Sequence, residues 1–272
     1  MTVILLRHGR STSNTAHTLA GRSEGVDLDE RGAEQAAGLV ARIGELPVTA
    51  IVHSPLLRCA RTVAPLAGAL ALEPIIDERL TEVDYGSWTG RAIGELVKEP
   101  LWSVVQQQPS AAVFPEGEGL AQVQARAVAA VRERDRALAD EHGADVLWLA
   151  CTHGDVIKAV LADALGVHLD GFQRITADPA SMSVIRYTEL RPFVMHINHT
   201  GTQLSAGLAA KPATDAVVGG STNWPAAPLP VFWKVPWPAQ FTYSALPTVS
   251  WPGLSANPVT ALSISRPSTT NA

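Results

Sequence analysis

The chain predicts an α/β fold: a three-layer α/β/α sandwich around a mixed, mostly parallel central sheet, followed by an irregular C-terminal tail. Three observations predict it. Apolar runs of strand length alternate with segments of helical period, the order that builds a mostly parallel sheet covered on both faces. Two of these runs, Thr2-Val3-Ile4-Leu5-Leu6 and Val146-Leu147-Trp148-Leu149-Ala150-Cys151, end in a histidine followed by glycine, as Arg7-His8-Gly9 and Thr152-His153-Gly154-Asp155. Both ends belong at the carboxyl edge of the sheet, where open α/β sheets bind ligands. Towards the C-terminus the periodicities stop. The 61 residues from Pro212 onward hold ten of the nineteen prolines, four of the seven tryptophans and three charged residues.

After the first run, a Gly- and Ser-rich segment leads to Leu28-Asp29-Glu30-Arg31-Gly32. Asp29 is placed to cap a helix in which Ala33, Ala36, Ala37, Val40 and Ile43 recur at helical spacing. Ala50-Ile51-Val52-His53-Ser54 reads as a short buried strand. Pro55 suits the first turn of the helix after it, which carries Arg58, Arg61 and Thr62 on one face near its start. Pro74-Ile75-Ile76 reads as a short edge strand, because its proline stands at the beginning. A loop with Glu82, Asp84, Tyr85, Gly86, Trp88 and Gly90 follows. The longest periodic segment runs from about Gly119 to His142, with Leu120, Val123, Ala127, Val131 and Leu138 on one stripe and Gly143 as its stop. The Val146–Cys151 strand and a helix from about Val156 to Leu165, ended by Gly166, complete a crossover unit. Met182–Tyr187 and Phe193–Asn198 then predict a terminal hairpin. Residues 1–205 are thus expected to form one catalytic domain. Residues 206–272 are expected to be a disordered Pro/Trp-rich tail, with docking of Trp224, Trp233, Trp237 and Trp251 on the folded part or on a partner as the alternative.

Charge narrows the classes of function. The net charge is −5; Lys211, Lys234 and Arg266 against Asp215 make the tail +2, which leaves −7 for residues 1–210. That balance argues against a nucleic-acid surface, and it means that any anion site is a local concentration of arginines, suited to a small phosphorylated metabolite. The first apolar run reaches only Leu6 and no apolar stretch approaches spanning length, so the expectation is a cytoplasmic protein with no membrane partner. Homo-oligomerisation stays open. The two cysteines, Cys59 and Cys151, make no disulfide framework, and neither has an arginine six residues on, as a cysteine-nucleophile phosphatase loop requires.

Hydrolysis of a phosphate monoester needs a nucleophile, a cationic clamp for the non-bridging oxygens and a proton donor for the leaving oxygen. The chain can supply all three with no metal and no cofactor. His8 is the candidate nucleophile, since a neutral imidazole nitrogen can attack phosphorus and form a phosphohistidine. Arg7 beside it and Arg58 on the next helix can hold phosphate oxygens, and their charge keeps the imidazole unprotonated. The amides near Gly9 and Gly154 are further candidate donors. His153, at the end of a different strand, can meet the phosphoryl group from the other side. The acid is expected on a mobile or loop element near the mouth of the pocket: Glu82 first, Asp84 second. Taken singly, each of these residues has an ordinary reading, Arg58 as a surface residue and Glu82 as a solvated carboxylate. The ordered set, strand-Arg-His-Gly, Ser-Pro-helix-Arg, a glutamate loop and strand-His-Gly-helix, is what singles them out.

At this point the sequence resembles the histidine phosphatase superfamily, also called phosphoglycerate-mutase-like, over about residues 1–200. The resemblance rests on Leu6-Arg7-His8-Gly9 with Asn14, on Leu28-Asp29-Glu30-Arg31-Gly32 with Gln35-Ala36, and on Ser54-Pro55-Leu56-Leu57-Arg58-Cys59-Ala60-Arg61-Thr62. It continues through Leu80-Thr81-Glu82-Val83-Asp84-Tyr85-Gly86-Ser87-Trp88-Thr89-Gly90 to Thr152-His153-Gly154-Asp155. It implies that His8 is the phosphorylated residue, that Arg7, Arg58 and His153 form the phosphate pocket, that Asn14 is an accessory contact and that Glu82 is the proton donor. The short glutamate loop resembles the phosphatase branch rather than the glycolytic mutases. Two positions depart from the pattern. Arg10 stands where the family usually has glutamate, which would add positive charge at the pocket rim and favour a more anionic substrate. Glu116-Gly117-Glu118-Gly119 stands in place of the usual Gly-Gly-Glu-Ser, so a hydroxyl is missing near the site.

The expected function is therefore a metal-independent phosphatase acting on small phosphate monoesters. The alternatives are a phosphomutase that returns the phosphoryl group to its substrate, and a catalytically weak phospho-ligand-binding protein of the same fold. Specificity is expected from the loop around residues 91–117 and from the tail. His196 and His199, three apart on a strand, are expected to face opposite ways and to make a poor metal pair. His17 and His53 are read as structural, with an approach to the site as the alternative, and Cys59 as packed under its helix.

Overall fold

The computed structural model describes residues 1–43, 46–143 and 146–201; the expected boundary at 205 and the tail beyond it lie outside the described residues. Six strands, β1 (Thr2–Arg7), β2 (Val48–His53), β3 (Ile75–Ile76), β4 (Leu147–Thr152), β5 (Met182–Tyr187) and β6 (Pro192–His199), pair in the order β3-β2-β4-β1-β5-β6. The first four in that order run parallel, and β5 and β6 add an antiparallel hairpin beside β1. This is the mixed, mostly parallel sheet that the sequence predicts.

Strand β1 reads as a continuous apolar run because both of its faces are covered. Val3 and Leu5 enter one core cluster, Ile4 and Leu6 the other. A short helix, α1 (Thr12–Ala16), follows β1, and α2 (Glu30–Ile43) and α3 (Leu57–Leu70) then cover the Ile4 side through Leu39, Ile43, Val63 and Leu66. Two short helices, α4 (Ile93–Leu96) and α5 (Pro100–Gln107), lead into α6 (Leu120–His142) and α7 (Gly154–Leu165), which cover the Val3 side. The α6 stripe Leu120, Val123, Ala127, Val131 and Leu138 is buried as its spacing requires.

Several starts differ from the sequence reading in ways that matter for the site. Asp29 caps α2 as expected, its Oδ1 accepting the Gly32 amide at 2.8 Å. Helix α3 begins at Leu57, with Pro55 outside it and Pro65 inside. Helix α7 begins at Gly154, two residues before the expected start, which makes His153 its N-cap. In the hairpin, Met182 pairs with His199 and Val184 with His196, two residues of β5 against three of β6. This bulge resets the alternation. Asn198 takes φ 55°, and the rings of His196 and His199 lie 6.0 Å apart instead of facing opposite ways. Among the described residues no helix is long and apolar enough to cross a membrane.

Candidate active site

The register of the parallel strands brings the site together. Arg7 pairs with Thr152 across β1 and β4, and His53 with Cys151 across β2 and β4, so the next residues, Ser54, His153 and His8, line up along the carboxyl edge. The imidazoles of His8 and His153 stand 5.2 Å apart, centroid to centroid, with their planes at 59°. That distance is close to the spacing of neighbouring strands. The His8 amide donates to Thr152 O at 3.0 Å, which fixes its backbone against β4.

Each ring has one nitrogen occupied. His8 Nδ1 lies 2.7 Å from Gly9 O. A carbonyl only accepts, so Nδ1 carries the proton and Nε2 keeps its lone pair. Burial, reinforced by Arg58 and Arg7, holds the His8 pKa well below its ordinary 6.5. His153 is fully buried and held low in the same way, first by burial and then by Arg58. Its Nε2 sits 2.8 Å from Ser54 Oγ, which itself takes the Leu56 amide at 3.4 Å. The Ser54 hydroxyl thus holds one edge of the ring and turns the other nitrogen, Nδ1, towards Glu82. That atom is buried without a hydrogen-bond partner among the described residues, 3.9 Å from Glu82 Oε2.

Arg58, on the first turn of α3, is 1% exposed. One nitrogen, Nη2, donates to Gly21 O at 2.8 Å; Nε and Nη1 are buried with no hydrogen-bond partner among the described residues. Arg7 is equally buried, with Nη1 donating to Ala177 O at 2.7 Å. Glu82 was expected near the pocket mouth, yet it is only 5% exposed. Its Oε1 accepts the Val83 amide at 3.0 Å, and burial, then Asp155, raises its pKa from 4.5 to about 7, against the pull of Arg58 and Arg7. The loop that carries it is pinned: Arg22 and Arg126 both donate to Glu82 O, at 3.0 and 3.2 Å.

These groups open onto a cleft of about 400 Å³, its mouth included, walled by Arg7, His8, Arg58, Glu82 and Tyr85 and by the segment from Ser11 to Gly21. Asn14 is on the wall. Its Oδ1 accepts the Ser11 amide in the capping box of α1, so Nδ2 is the atom free to face a ligand. His153 and Gly154 lie behind the wall rather than on it. A Cβ on Gly154 would stand 3.4 Å from Arg7 Cζ, so this glycine is where the guanidinium packs on α7.

Other expectations change. Arg10 is not a charge at the rim. Its Nε is bonded to Asp29, the carboxylate that also caps α2, and the pair cancels. The Gly9 amide is not a free donor, because it bonds Thr62 Oγ1 at 2.9 Å. Gly9 is needed for close approach instead: its Cβ would meet Gly32 O at 2.8 Å, and one on Gly32 would meet Arg10 O at 1.9 Å. Asp84 forms a turn, accepting the Gly86 amide and pairing with Arg22 at 3.6 Å, off the cleft wall. Glu118 braces the glutamate loop from behind by accepting from Arg22, Arg126 and the Asp84 amide. Of residues 91–117, only Ile93 reaches the wall.

Sequence reasoning missed three contributors. Ser54 is invisible as a partner of His153 until β2 is seen beside β4. His17 stands on the cleft wall with a left-handed backbone at φ 52°, whereas His53 is buried with Nδ1 on Ser54 O and lies off the wall. The buried group of Tyr85, Asp155 and Lys158 is the third. The glutamate loop quoted for the family resemblance contains Tyr85, yet nothing in the sequence points it at Asp155.

Comparison with known proteins identifies the family and the fold. The family model of the histidine phosphatase superfamily (branch 1) matches residues 3–200. The bifunctional protein Rv2228c of Mycobacterium tuberculosis is 33% identical over 204 residues, 73% of this chain, and the chain spans about half, 54%, of that relative's length. Phosphoserine phosphatase 1 of Hydrogenobacter thermophilus is 31% identical over 206 residues, 73% of this chain and 92% of that protein. Among solved structures, YhfR of Bacillus stearothermophilus superposes with a TM-score of 0.66 at 27% identity, over 73% of this chain and 96% of that one.

Proposed function

The chain belongs to the histidine phosphatase superfamily, and we propose that it hydrolyses phosphate monoesters of small metabolites through a phosphohistidine at His8. The observation that carries the proposal is the pair of buried Arg58 donors that have no hydrogen-bond partner among the described residues, beside Nε2 of His8. Buried donors without partners are rare in folded proteins, and a phosphoryl group satisfies them.

In the first step His8 Nε2 forms a bond to phosphorus as the bond from phosphorus to the ester oxygen breaks. The ester oxygen leaves as an alcohol with the proton of Glu82. The Nδ1–H bond to Gly9 O steadies the ring as it becomes cationic, while Arg7 and Arg58 hold the equatorial oxygens from the cleft wall and His153, packed against His8, stabilises the developing charge from behind. In the second step Glu82, now ionised, takes a proton from water as that water attacks phosphorus. Inorganic phosphate leaves, and His8 returns to the neutral form. No step requires a metal. The similarity to a phosphoserine phosphatase supports the phosphatase reading.

The test is turnover of p-nitrophenyl phosphate with chelator present, for the native chain and for His8→Ala, together with acid quenching to trap the phosphoenzyme. Chelator-resistant turnover that vanishes with the imidazole is expected. Equal activity in the variant overturns the mechanism, and return of the phosphoryl group to a second substrate molecule in preference to water makes the enzyme a mutase.

A further inference from the structure

Beside Glu82, from Tyr85 on the cleft wall inward, lies a buried polar group that the reaction as written does not use. Tyr85, three residues after Glu82 on the same loop and fully buried, donates its hydroxyl to Asp155 Oδ2 at 2.8 Å. Asp155 is the second residue of α7, two after His153. Its other oxygen takes the Lys158 ammonium at 3.1 Å, and Lys158, only 2% exposed, reaches Gln173 Oε1 at 2.6 Å and lies 4.5 Å over the ring of Phe172. The element that carries the proposed acid is therefore tied to the helix that starts at the second imidazole. Burying a carboxylate and an ammonium costs several kcal/mol per ion before their attraction returns it, so this arrangement is an expensive way merely to fill space.

We propose that Asp155 and Tyr85 are positioning residues for the proton donor: Tyr85 clamps the Glu82 loop to α7, and the charge of Asp155 keeps the proton on Glu82 until the leaving oxygen takes it. The proposal rests on the reading of Glu82 as the acid. Five titratable groups face its carboxyl: Asp155 from α7, Arg58 from α3, Arg7 from the end of β1, His153 from the end of β4, and the neutral Tyr85 hydroxyl from its own loop. Asp155 is the one anion among them. It is like-charged to ionised Glu82, and so it favours the protonated form that the two guanidiniums oppose. Lys158 balances Asp155 on the side away from the cleft.

The experiment measures kcat/KM against pH for two substrates, an alkyl phosphate, whose leaving oxygen needs a proton, and p-nitrophenyl phosphate, whose leaving group is stable as an anion. The variants are Asp155→Asn, Tyr85→Phe and the double variant Asp155→Asn with Lys158→Met, which leaves no buried charge uncompensated if the single Asp155 change fails to fold. With alkyl phosphate the native activity falls as pH rises through about 7, where Glu82 loses its proton. Removing the Asp155 charge moves that limb to lower pH by on the order of one unit. Tyr85→Phe keeps the limb and lowers kcat on the alkyl phosphate about tenfold, as expected for one lost charge-assisted bond, with a smaller effect on p-nitrophenyl phosphate. An unmoved limb in folded Asp155 variants, or equal losses on both substrates, overturns the proposal. Glu82→Gln separates the two failures. If it spares the alkyl phosphate, the reading of Glu82 as acid is wrong; if it abolishes that turnover while the Asp155 and Tyr85 variants behave as native, only the positioning proposal fails.

Discussion

Glu82→Gln should make the protein more stable while making it a poorer enzyme, and the gain should depend on pH. In the folded chain the carboxyl titrates at about 7, against 4.5 for an unburied glutamate, because it is buried and faces Asp155. Between those two values the folded state holds a proton that the unfolded state has lost, so stability falls as pH rises through this window and stays reduced above it. The gap corresponds to about 3 kcal/mol at roughly 1.4 kcal/mol per unit. Glutamine is nearly the same shape and has no proton to lose. The variant and the native chain should therefore unfold at similar urea concentrations at pH 4.5, and the difference should grow to about 3 kcal/mol in favour of the variant by pH 8. Far-ultraviolet circular dichroism across urea series at four pH values measures it. Turnover of an alkyl phosphate should fall by about 10²- to 10⁴-fold, the usual contribution of a positioned acid. A stability difference that is flat with pH, or that favours the native chain at pH 8, would refute the argument that burial holds the proton on Glu82.

Three further outcomes follow from the same geometry. Arg58→Lys should lower kcat/KM by about 10- to 100-fold, because an ammonium cannot bond Gly21 O and present two more donors in a fixed fork; near-native kinetics would place Arg58 outside the phosphate site. Ser54→Ala should reduce kcat about tenfold with KM less affected, since His153 loses the hydroxyl that orients its ring, and Ser54→Thr should restore part of the loss. Gly32→Ala should destabilise the fold by about 1–3 kcal/mol or more, because its Cβ would stand 1.9 Å from Arg10 O; an unchanged unfolding midpoint would contradict the close packing of α2 on the segment after His8.

What could be read from the sequence is what depends on short stretches of chain. The Asp29 cap and the α6 stripe rest on local pattern and lie where the pattern puts them, and the two strands end at Arg7 and Thr152, one residue beyond their apolar runs. The features that differ are set by partners far along the chain. The alternation of β6 fails at His196 and His199 because Asn198, in a left-handed conformation, bonds Asp178 twenty residues away and opens a bulge. Arg10 reads as a free cation until its helix cap, nineteen residues on, turns out to hold it. The amide of Gly9 reads as an anion donor until Thr62 takes it. Glu82 looks like any loop carboxylate, since no local signal reports that Arg22 and Arg126 draw its backbone inward.

That inward pull explains how one physical effect prepares two groups of opposite kind. Burial disfavours charge: it pushes the His8 imidazole down towards its neutral, nucleophilic form and the Glu82 carboxyl up towards its neutral, proton-donating form. The proton on Glu82 has a second consequence. Arg7 and Arg58 are the buried cations that act on His8, in a chain whose first 210 residues carry a net −7, and an ionised Glu82 would cancel one of them and face the incoming phosphate with a like charge. Above about pH 7 the pocket should therefore lose its acid and much of its attraction for a dianion together. KM for a phosphate monoester should rise over the same pH interval in which kcat falls, and in Glu82→Gln the rise in KM should disappear while kcat remains low.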